Sequence, residues 1–287
     1  MLTSPDSIFI SRSAGISAEG VRDQYADGKA AKVWEIFIGD KNSRTENYKN
    51  FLVDLLRSKG CKRVLDVACG TGIDSIMLLE EGYNVVSVDA SDKMLKYALK
   101  QRWNRRQERA FDQWIIEEAN WITLYDDIKP IVGDGFDAVI CLGNSFAHLM
   151  DNSGDQSYHK QAINNFKKCL KPGGILLIDH RNYDHILETG ETPAKSIYYN
   201  TSHTADIKTS ILFYCGKPSM ITLDYQIIGN NLNSDFRLSY YPHSLQNFIK
   251  ILKETFGEKS NHKLYGDFKE IHSGCKPAFY IHVMEKQ

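Results

Sequence analysis

Two glycines and an aspartate are spaced like the parts of a nucleotide-binding turn. Gly70 and Gly72 follow an apolar run at residues 64–67, and Asp89 ends the next apolar run along the chain. Glycines let a ligand approach bare backbone, and ligands of open α/β sheets bind at the carboxyl ends of the strands. An acid at the end of the second strand can accept hydrogen bonds from both hydroxyls of a ribose. The spacing therefore predicts a βαβ unit that binds a nucleoside.

The glycine turn differs from a dinucleotide site. Such a site carries a third glycine and places a diphosphate on the following helix N-terminus. Here Gly72 is followed by Ile73, Asp74 and Ser75, so the third glycine is absent and a negative charge lies in the first helical turn. This favours a ligand with ribose and adenine but no phosphate, and S-adenosylmethionine is the common one.

Further candidate residues follow the later strands, which deliver their next residues to the same rim of a doubly wound sheet. Asn120 and Trp121 offer a hydrogen-bond partner and an apolar wall for an adenine, although Trp121 is alternatively a core residue whose indole N–H reaches a carbonyl. Asn144 lies at the corresponding point after a later strand, where enzymes that methylate nucleobase amino groups carry Pro-Pro. No Pro-Pro occurs here, so a small substrate is favoured.

Two arginines and one histidine complete the set. Arg181 follows another strand, where its guanidinium can bind the carboxylate of a small substrate through two parallel hydrogen bonds. Arg44 precedes a helix, and we expect it to bind the carboxylate of the cofactor's methionine part. His148 is either a general base or a histidine satisfied by its neighbours. No metal ligands are predicted.

Composition bounds the class of protein. The 287 residues carry a formal net charge of −1, with acids and bases interleaved, so there is no electrostatic footprint for nucleic acid or an anionic membrane. The six cysteines show no C-x-x-C pair and suggest reduced thiols. Neither a signal peptide nor a membrane-spanning stretch is evident. We therefore expect a cytoplasmic protein.

Strands and helices alternate through the middle of the chain, which requires parallel pairing with right-handed crossovers. The predicted fold class is α/β, a doubly wound, seven-stranded, mostly parallel sheet of the class I S-adenosylmethionine-dependent methyltransferase type with a small antiparallel insertion. Ser91 is predicted to cap the helix after the second strand. The main strands are expected near residues 63–67, 84–88, 114–117, 138–142, 175–179, 262–265 and 279–284.

Four segments are predicted along the chain. Residues 1–24 form an N-terminal arm, which is either a loose terminus or an arm that reaches a neighbouring subunit. Residues 25–183 form the cofactor-binding domain. Residues 184–242, with alternating Ile, Thr and Tyr, form a small antiparallel sheet on the substrate side. Residues 243–287 supply the closing helix and strands.

Several long, uninterrupted stretches of sequence indicate a protein family more specifically than the short glycine turn does. They lie at residues 23–28, 64–72, 87–99, 102–106, 117–121, 136–148, 178–187 and 238–243. Through them the chain resembles the glycine N-methyltransferase family along nearly its whole length. The resemblance implies methyl transfer from S-adenosylmethionine to glycine, giving sarcosine and S-adenosylhomocysteine. It implies cofactor contacts from Tyr25, Trp34, Arg44, Ala68, Asp89, Asn120, Trp121, Leu142 and Ser145, and substrate or catalytic contacts from Tyr25, Asn144, Arg181, Tyr199 and Tyr225.

The same resemblance implies regulation and assembly. It suggests a homotetramer whose N-terminal arm, with Glu19, reaches a neighbour's active-site mouth. It also suggests inhibition by a folate of the 5-methyltetrahydrofolate type and a role in regulating methyl-donor supply. Two alternatives remain: a methyltransferase for a related amine such as sarcosine, and a protein that binds S-adenosylmethionine or folate with negligible turnover.

Overall fold

The structure is a computed structural model that describes residues 8–10, 44–193, 197–198, 204–229 and 232–287. The helices within these ranges are α1 (Glu46–Ser58), α2 (Ile73–Glu80), α3 (Asp92–Asn104), α4 (Arg109–Asp112), α5 (Leu124–Asp127), α6 (Lys129–Val132), α7 (Ser157–Cys169), α8 (Tyr183–Thr189) and α9 (Leu245–Phe256). The strands are β1 (Ile8–Ile10), β2 (Arg63–Asp66), β3 (Asn84–Asp89), β4 (Ile115–Glu118), β5 (Phe136–Cys141), β6 (Leu170–Arg181), β7 (Thr204–Tyr214), β8 (Lys217–Gly229), β9 (Leu232–Tyr240), β10 (His262–Gly266), β11 (Lys269–Glu270) and β12 (Phe279–Glu285). A 3-10 turn spans Ser145–His148.

The central sheet has the order β11-β10-β12-β6-β5-β2-β3-β4 among the described strands. Strands β4, β3, β2, β5 and β6 pair in parallel, whereas β12 is antiparallel to both β6 and β10. This order confirms the doubly wound, mostly parallel sheet. The two-residue strand β11 adds an eighth strand to the seven expected, because the chain reverses at Asp267 and Phe268, both of which have positive φ.

The core lies on both faces of this sheet. Neighbouring residues of β2 point to opposite faces, as the two-residue period of a strand requires. Val64 packs in one buried cluster and Leu65 in the other. Ile175 and Leu176 of β6 divide in the same way. Burial on both faces explains why these strands are continuous apolar runs rather than alternating ones.

Local sequence signals set two of the helix starts. The Thr45 hydroxyl accepts a hydrogen bond from the backbone N–H of Tyr48 at 3.2 Å and caps α1. The Ser91 hydroxyl accepts one from the backbone N–H of Met94 and caps α3, as predicted. Such caps satisfy N–H groups that have no partner within the helix.

The strand expected near residues 175–179 begins earlier, because the segment Lys171 to Gly174 is part of β6. The pairing of β5 with β6 shifts its register between Phe136 and Ala138, so the extra residues form an irregularity within the strand pair. A Cβ at Gly174 would lie 3.0 Å from the carbonyl oxygens of Lys171 and Phe136. Glycine is required where backbones approach this closely.

A second sheet has the order β1-β7-β8-β9 within the described ranges, and all its pairs are antiparallel. This confirms the small antiparallel insertion. One face packs on the main domain through a cluster made of Ala147, Tyr183, Ile186, Ile221, Leu223, Tyr225, Leu238 and Tyr240. Of the predicted arm, the described part is β1, which pairs with the end of β7. No helix in the described ranges is long and apolar enough to cross a membrane.

Candidate active site

The glycine turn is held by the carboxylate of Asp89. Asp89 Oδ2 accepts a hydrogen bond from the backbone N–H of Gly70 at 2.9 Å, and Oδ1 accepts one from the N–H of Ser91 at 2.9 Å. The side chain is partly exposed at the end of β3. A carboxylate offers about four lone-pair sites, so one side chain can accept hydrogen bonds from several donors. Asp89 therefore positions the turn and presents an acceptor at the rim.

Gly72 is required by the core rather than by a ligand. Its φ of 87° lies in the left-handed region, and it directly precedes α2. A Cβ at this position would lie 2.8 Å from a ring carbon of Trp114 and 3.0 Å from Cβ of Ala98. The backbone conformation and the packing both exclude a side chain here.

A buried hydrogen-bond chain lies beneath the turn. The indole N–H of Trp114 donates to Ser87, Ser87 donates to Ser75, and Ser75 donates to Asp66 Oδ2, each at 2.7 Å. Asp66 Oδ1 accepts from the backbone N–H of Ala68 at 3.3 Å. Burial raises the pKa of the Asp66 carboxyl to about 7. Ala68, a predicted cofactor contact, is thus fixed from below by Asp66.

Arg44 lies beside the first turn of α2. Its Nη2 donates to Asp74 Oδ2 at 2.7 Å, and its guanidinium lies 5.4 Å from the centroid of the Tyr48 ring. The negative charge of Asp74, which argues against a phosphate at this helix N-terminus, is therefore paired with a cation. The predicted role of Arg44 toward a cofactor carboxylate stays a prediction.

The residues predicted to hold adenine lie on neighbouring loops. The backbone N–H of Ala119 donates to the carbonyl of Asp89, which places Asn120 and Trp121 beside β3. Asn120 is exposed, and its Oδ1 accepts from the N–H of Ile122 at 2.9 Å. Trp121 is partly buried, and its indole N–H donates to the carbonyl of Val67 at 2.6 Å. That bond matches the alternative in which Trp121 supports the core.

The loop after β5 closes this side of the rim. Leu142 is buried, and its carbonyl accepts a hydrogen bond from the hydroxyl of Ser145 at 2.8 Å. Trp121 stacks on Phe146 of the following 3-10 turn, with ring centroids 5.7 Å apart. These contacts bring together the predicted residues that follow β4 and β5.

The predicted substrate residues form a second group. Asn144 is buried with a φ of 63°, and its Oδ1 accepts from the backbone N–H of Arg181 at 2.9 Å. Nδ2 of Asn144 donates to the hydroxyl of Tyr183 at 2.9 Å. Arg181 Nη2 lies 3.5 Å from the hydroxyl of Tyr225, and the guanidinium packs 4.7 Å from the centroid of the Phe279 ring. The insertion thus contributes Tyr225 to the rim of the main sheet.

Asp179 is a site residue that sequence reasoning missed. It is fully buried; its Oδ1 accepts from the backbone N–H of Asn144 at 2.9 Å, and its Oδ2 accepts from the hydroxyl of Tyr198. Burial raises the pKa of the Asp179 carboxyl to about 7, although these hydrogen bonds act to lower it. The available signal was the one that identified Asp89: an acid that directly follows an apolar run, here residues 175–178.

His148 packs against the insertion. Its ring centroid lies 4.7 Å from that of Tyr240, and burial lowers the pKa of the imidazole to about 4. The ring is therefore neutral near pH 7, and its low basicity favours the satisfied histidine over the general base.

Three predicted residues, Tyr25, Trp34 and Tyr199, lie outside the described residues, as does Glu19. The remaining ones fall into two groups on one rim. The first holds Arg44, Ala68, Asp89, Asn120, Trp121, Leu142 and Ser145, and the second holds Asn144, Arg181 and Tyr225.

The chemistry of the rim fits a nucleoside without phosphate beside a small acid. A carboxylate acceptor lies next to the glycine turn, and Asp74 places negative charge at the helix N-terminus where a diphosphate would bind. The buried Nε of Arg181 has no hydrogen-bond partner among the described residues. A buried donor without a partner is costly, so a ligand or water is expected there.

Comparisons with known proteins agree with this geometry. A family model described as "Methyltransferase domain" matches residues 65–176. The sequence is 58% identical to "Glycine N-methyltransferase" of Rattus norvegicus over 98% of this chain and 99% of that protein. It is 33% identical to "Glycine/sarcosine N-methyltransferase" of Halorhodospira halochloris over 92% of this chain and 90% of that protein.

A solved structure shows the same fold. It is an S-adenosylmethionine-dependent methyltransferase from Clostridium acetobutylicum, which matches with a TM-score of 0.63 at 15% identity. The match covers 91% of this chain and 98% of that chain.

Proposed function

The chain belongs to the glycine N-methyltransferase family, and from this premise we propose that it transfers the methyl group of S-adenosylmethionine to the amino nitrogen of glycine. The products are sarcosine and S-adenosylhomocysteine. The observation that carries the proposal is Arg181, a partly buried guanidinium on the rim whose Nε lacks a partner among the described residues. Its planar donor pair matches a carboxylate, the one anionic group of glycine.

The cofactor fits the first group of rim residues. Asp89 would hold the ribose hydroxyls, and Asn120, Trp121, Leu142 and Ser145 would border the adenine. Arg44, next to the glycine turn, would bind the carboxylate of the methionine part, with Tyr25, Trp34 and Ala68 as further contacts. When bound, the cofactor supplies a methyl group activated by a sulfonium.

The second group orients the substrate. Arg181 clamps the glycine carboxylate, while Asn144 and the hydroxyls of Tyr199 and Tyr225 direct the amine. The backbone bond from Arg181 to Asn144 Oδ1 keeps these two residues in fixed register. Alignment of this kind for an in-line displacement can contribute about 7–11 kcal/mol. Tyr25 completes the proposed catalytic set.

The amine must be neutral to attack, because an ammonium has no lone pair. We propose that its proton leaves to water. The two rim carboxylates are poorly placed to take this proton, because Asp89 accepts two backbone N–H groups and Asp179 is buried with both oxygens hydrogen-bonded. His148 is a weak base because burial lowers its pKa to about 4.

A direct test is mass-spectrometric detection of methylated products. The purified protein is incubated with S-adenosylmethionine and a mixture of glycine, sarcosine, alanine and guanidinoacetate. Sarcosine as the main product supports the proposal. Cofactor binding without any methylated product would instead indicate a binding protein.

A second substrate, sarcosine, is favoured by a specific finding. A relative at 33% identity is named for both glycine and sarcosine. Dimethylglycine formed from sarcosine at a rate comparable to that of sarcosine from glycine would establish this broader activity. If the pocket has no room for the N-methyl group that sarcosine carries in place of a hydrogen of glycine, sarcosine will not react.

The resemblance supports four finer proposals. The protein is a homotetramer, is inhibited by a 5-methyltetrahydrofolate-type folate, acts in the cytoplasm and regulates methyl-donor supply. Light scattering on the purified protein tests whether it is a tetramer, and initial rates at increasing folate concentration test the inhibition. Cell fractionation tests the location. The cellular ratio of S-adenosylmethionine to S-adenosylhomocysteine, with and without the protein, tests the regulatory role.

A further inference from the structure

We propose that Asp179 is a positioning residue for glycine binding: its carboxylate joins the loop that carries Asn144 to the segment that carries Tyr198. This inference rests on the proposed glycine methylation and assigns a role to a residue that is not part of the substrate contacts named above. Three sets of contacts support it.

The first set fixes the loop after β5. Gly143 and Asn144 both have positive φ, 79° and 63°, a region that is uncommon for a non-glycine residue even though asparagine adopts it more readily than most. Asp179 Oδ1 accepts the backbone N–H of Asn144 at 2.9 Å, and the backbone of Gly143 also hydrogen bonds to the carboxylate. Two successive N–H groups directed at one buried anion stabilise this uncommon conformation.

The second set fixes the segment at Tyr198. The Tyr198 hydroxyl donates to Asp179 Oδ2, and the Tyr198 carbonyl accepts from the backbone N–H of Thr45 at 3.0 Å. The Thr45 hydroxyl donates to the carbonyl of Ile197 at 2.8 Å. Residues 197 and 198 are therefore held by Asp179 through the Tyr198 side chain and by Thr45, the neighbour of Arg44, through their backbone. Tyr199, a proposed substrate contact, is the next residue in the chain.

The third set links Asp179 to the guanidinium clamp. Asp179 and Arg181 are two residues apart on β6, so their side chains project from the same face of the sheet. Asn144 is bonded at its backbone N–H by Asp179 and at its Oδ1 by the N–H of Arg181. Loss of the Asp179 contact would release one of these two bonds that join Asn144 to β6.

The contacts predict a pH dependence of glycine binding. Burial raises the pKa of Asp179 to about 7, so the ionised form that accepts these bonds is lost as pH falls through neutrality. The titratable groups around it are Arg181, which favours the ionised form, and Tyr183, Tyr198 and Cys141, which burial keeps neutral. The KM for glycine should therefore rise as pH is lowered from 8 to 6.

The decisive variant is Asp179→Asn, which keeps the shape but removes the charge. We expect the KM for glycine at pH 8 to rise at least tenfold, the dissociation constant of S-adenosylmethionine to change less than threefold, and the step in KM between pH 8 and 6 to disappear. The proton of the glycine amine contributes equally to both proteins, so it cancels in the comparison.

Asp66→Asn is the matched control. Asp66 is also buried, its pKa is also raised to about 7 by burial, and it lies beneath the cofactor half of the rim. This variant should weaken cofactor binding and retain the pH step in the glycine KM. A glycine KM within twofold of wild type in Asp179→Asn, or a retained pH step, would overturn the proposal.

A milder variant covers the case in which Asp179→Asn does not fold. Tyr198→Phe removes one hydroxyl contact and should raise the glycine KM threefold to tenfold, and an unchanged KM would contradict the proposal. Amide hydrogen exchange tests the positioning role independently of the proposed function. The amides of Gly143 and Asn144 should exchange faster in either variant than in wild type, even if the wild type forms no sarcosine. Unchanged exchange at both amides would overturn the positioning role.

Discussion

Arg44 and Asp74 form an ion pair in which Nη2 lies 2.7 Å from Oδ2. Their side chains retain 7% and 18% of their exposure, so the pair is largely shielded from water. The bond ties the residue before Thr45, the cap of α1, to the first turn of α2, directly after the glycine turn. It explains how an acid is tolerated in this position.

The shielding of this pair makes each single substitution costly. Arg44→Gln leaves the Asp74 carboxylate uncompensated and should lower the free energy of unfolding by about 3 kcal/mol. The double variant with Asp74→Asn should recover a large part of that loss, because neither charge is then left alone. Urea denaturation of wild type, both single variants and the double variant measures the coupling. If the losses of unfolding free energy in the two single variants simply add in the double variant, the ion pair contributes no stability.

Arg181→Lys tests the guanidinium clamp. Lysine keeps the charge but loses the parallel donor pair, and a hydrogen bond to a charged group contributes about 1.5–3 kcal/mol. The KM for glycine should therefore rise roughly tenfold to 100-fold, since about 1.4 kcal/mol corresponds to a factor of ten. Calorimetry should show the cofactor dissociation constant nearly unchanged.

Arg237→Lys is a suitable control for that variant. Arg237 pairs with Asp224 on the outer part of the insertion and has no place in the proposed site. Its glycine KM should equal that of wild type. Wild-type glycine kinetics in Arg181→Lys would rule out the clamp.

The sequence could predict the elements whose signals are local. The apolar runs identified the main strands, Ser91 was identified as a helix cap from its position, and Asp89 was placed at the rim because it ends a strand next to a glycine turn. Each of these depends on neighbours along the chain or on the topology that alternating elements require.

Contacts between distant segments could not be predicted in the same way. Asp74 was identified as an unfavourable charge for phosphate, but its partner Arg44 lies 30 residues away. Asp179 follows an apolar run within β6 as Asp89 does in β3, yet its role depends on Tyr198 and on the left-handed backbone of Asn144. Neither a hydroxyl from the insertion nor a positive φ at a non-glycine residue has a sequence signal strong enough to be predicted.

Two glycines with nearly equal φ angles distinguish the cost of the left-handed backbone from the cost of a steric clash. Gly72 and Gly82 have φ values of 87° and 89°, but a Cβ at Gly82 would meet nothing within 4 Å. Gly82→Ala should therefore cost about 1 kcal/mol of unfolding free energy through the left-handed conformation. Gly72→Ala adds a clash with Trp114 and should cost about 3 kcal/mol in total.

Chemical denaturation of the two alanine variants checks this difference. The double variant Gly72→Ala with Trp114→Phe tests the clash directly. The smaller ring gives the new methyl group more room, so Gly72→Ala should cost less unfolding free energy in the Trp114→Phe background. The packing argument fails if the two glycine variants are equally stable.

Buried histidines should make the fold sensitive to acid. Burial lowers the pKa of His148 to about 4, while an unfolded histidine titrates near 6.5. The unfolded state then binds more protons between these values, so the free energy of unfolding falls as pH decreases from about 6.5 to about 4. At pH 5 this histidine alone should reduce stability by about 2 kcal/mol relative to pH 7.5.

His148→Gln isolates that contribution. Between pH 7.5 and 5 the wild type should lose about 2 kcal/mol more unfolding free energy than His148→Gln. Asp66 and Asp179, whose pKa values are raised by burial, act with the opposite sign, because the folded state holds their protons more tightly; they are present in both proteins and cancel. Equal pH dependence in wild type and His148→Gln would show that His148 is protonated equally in the folded and unfolded states.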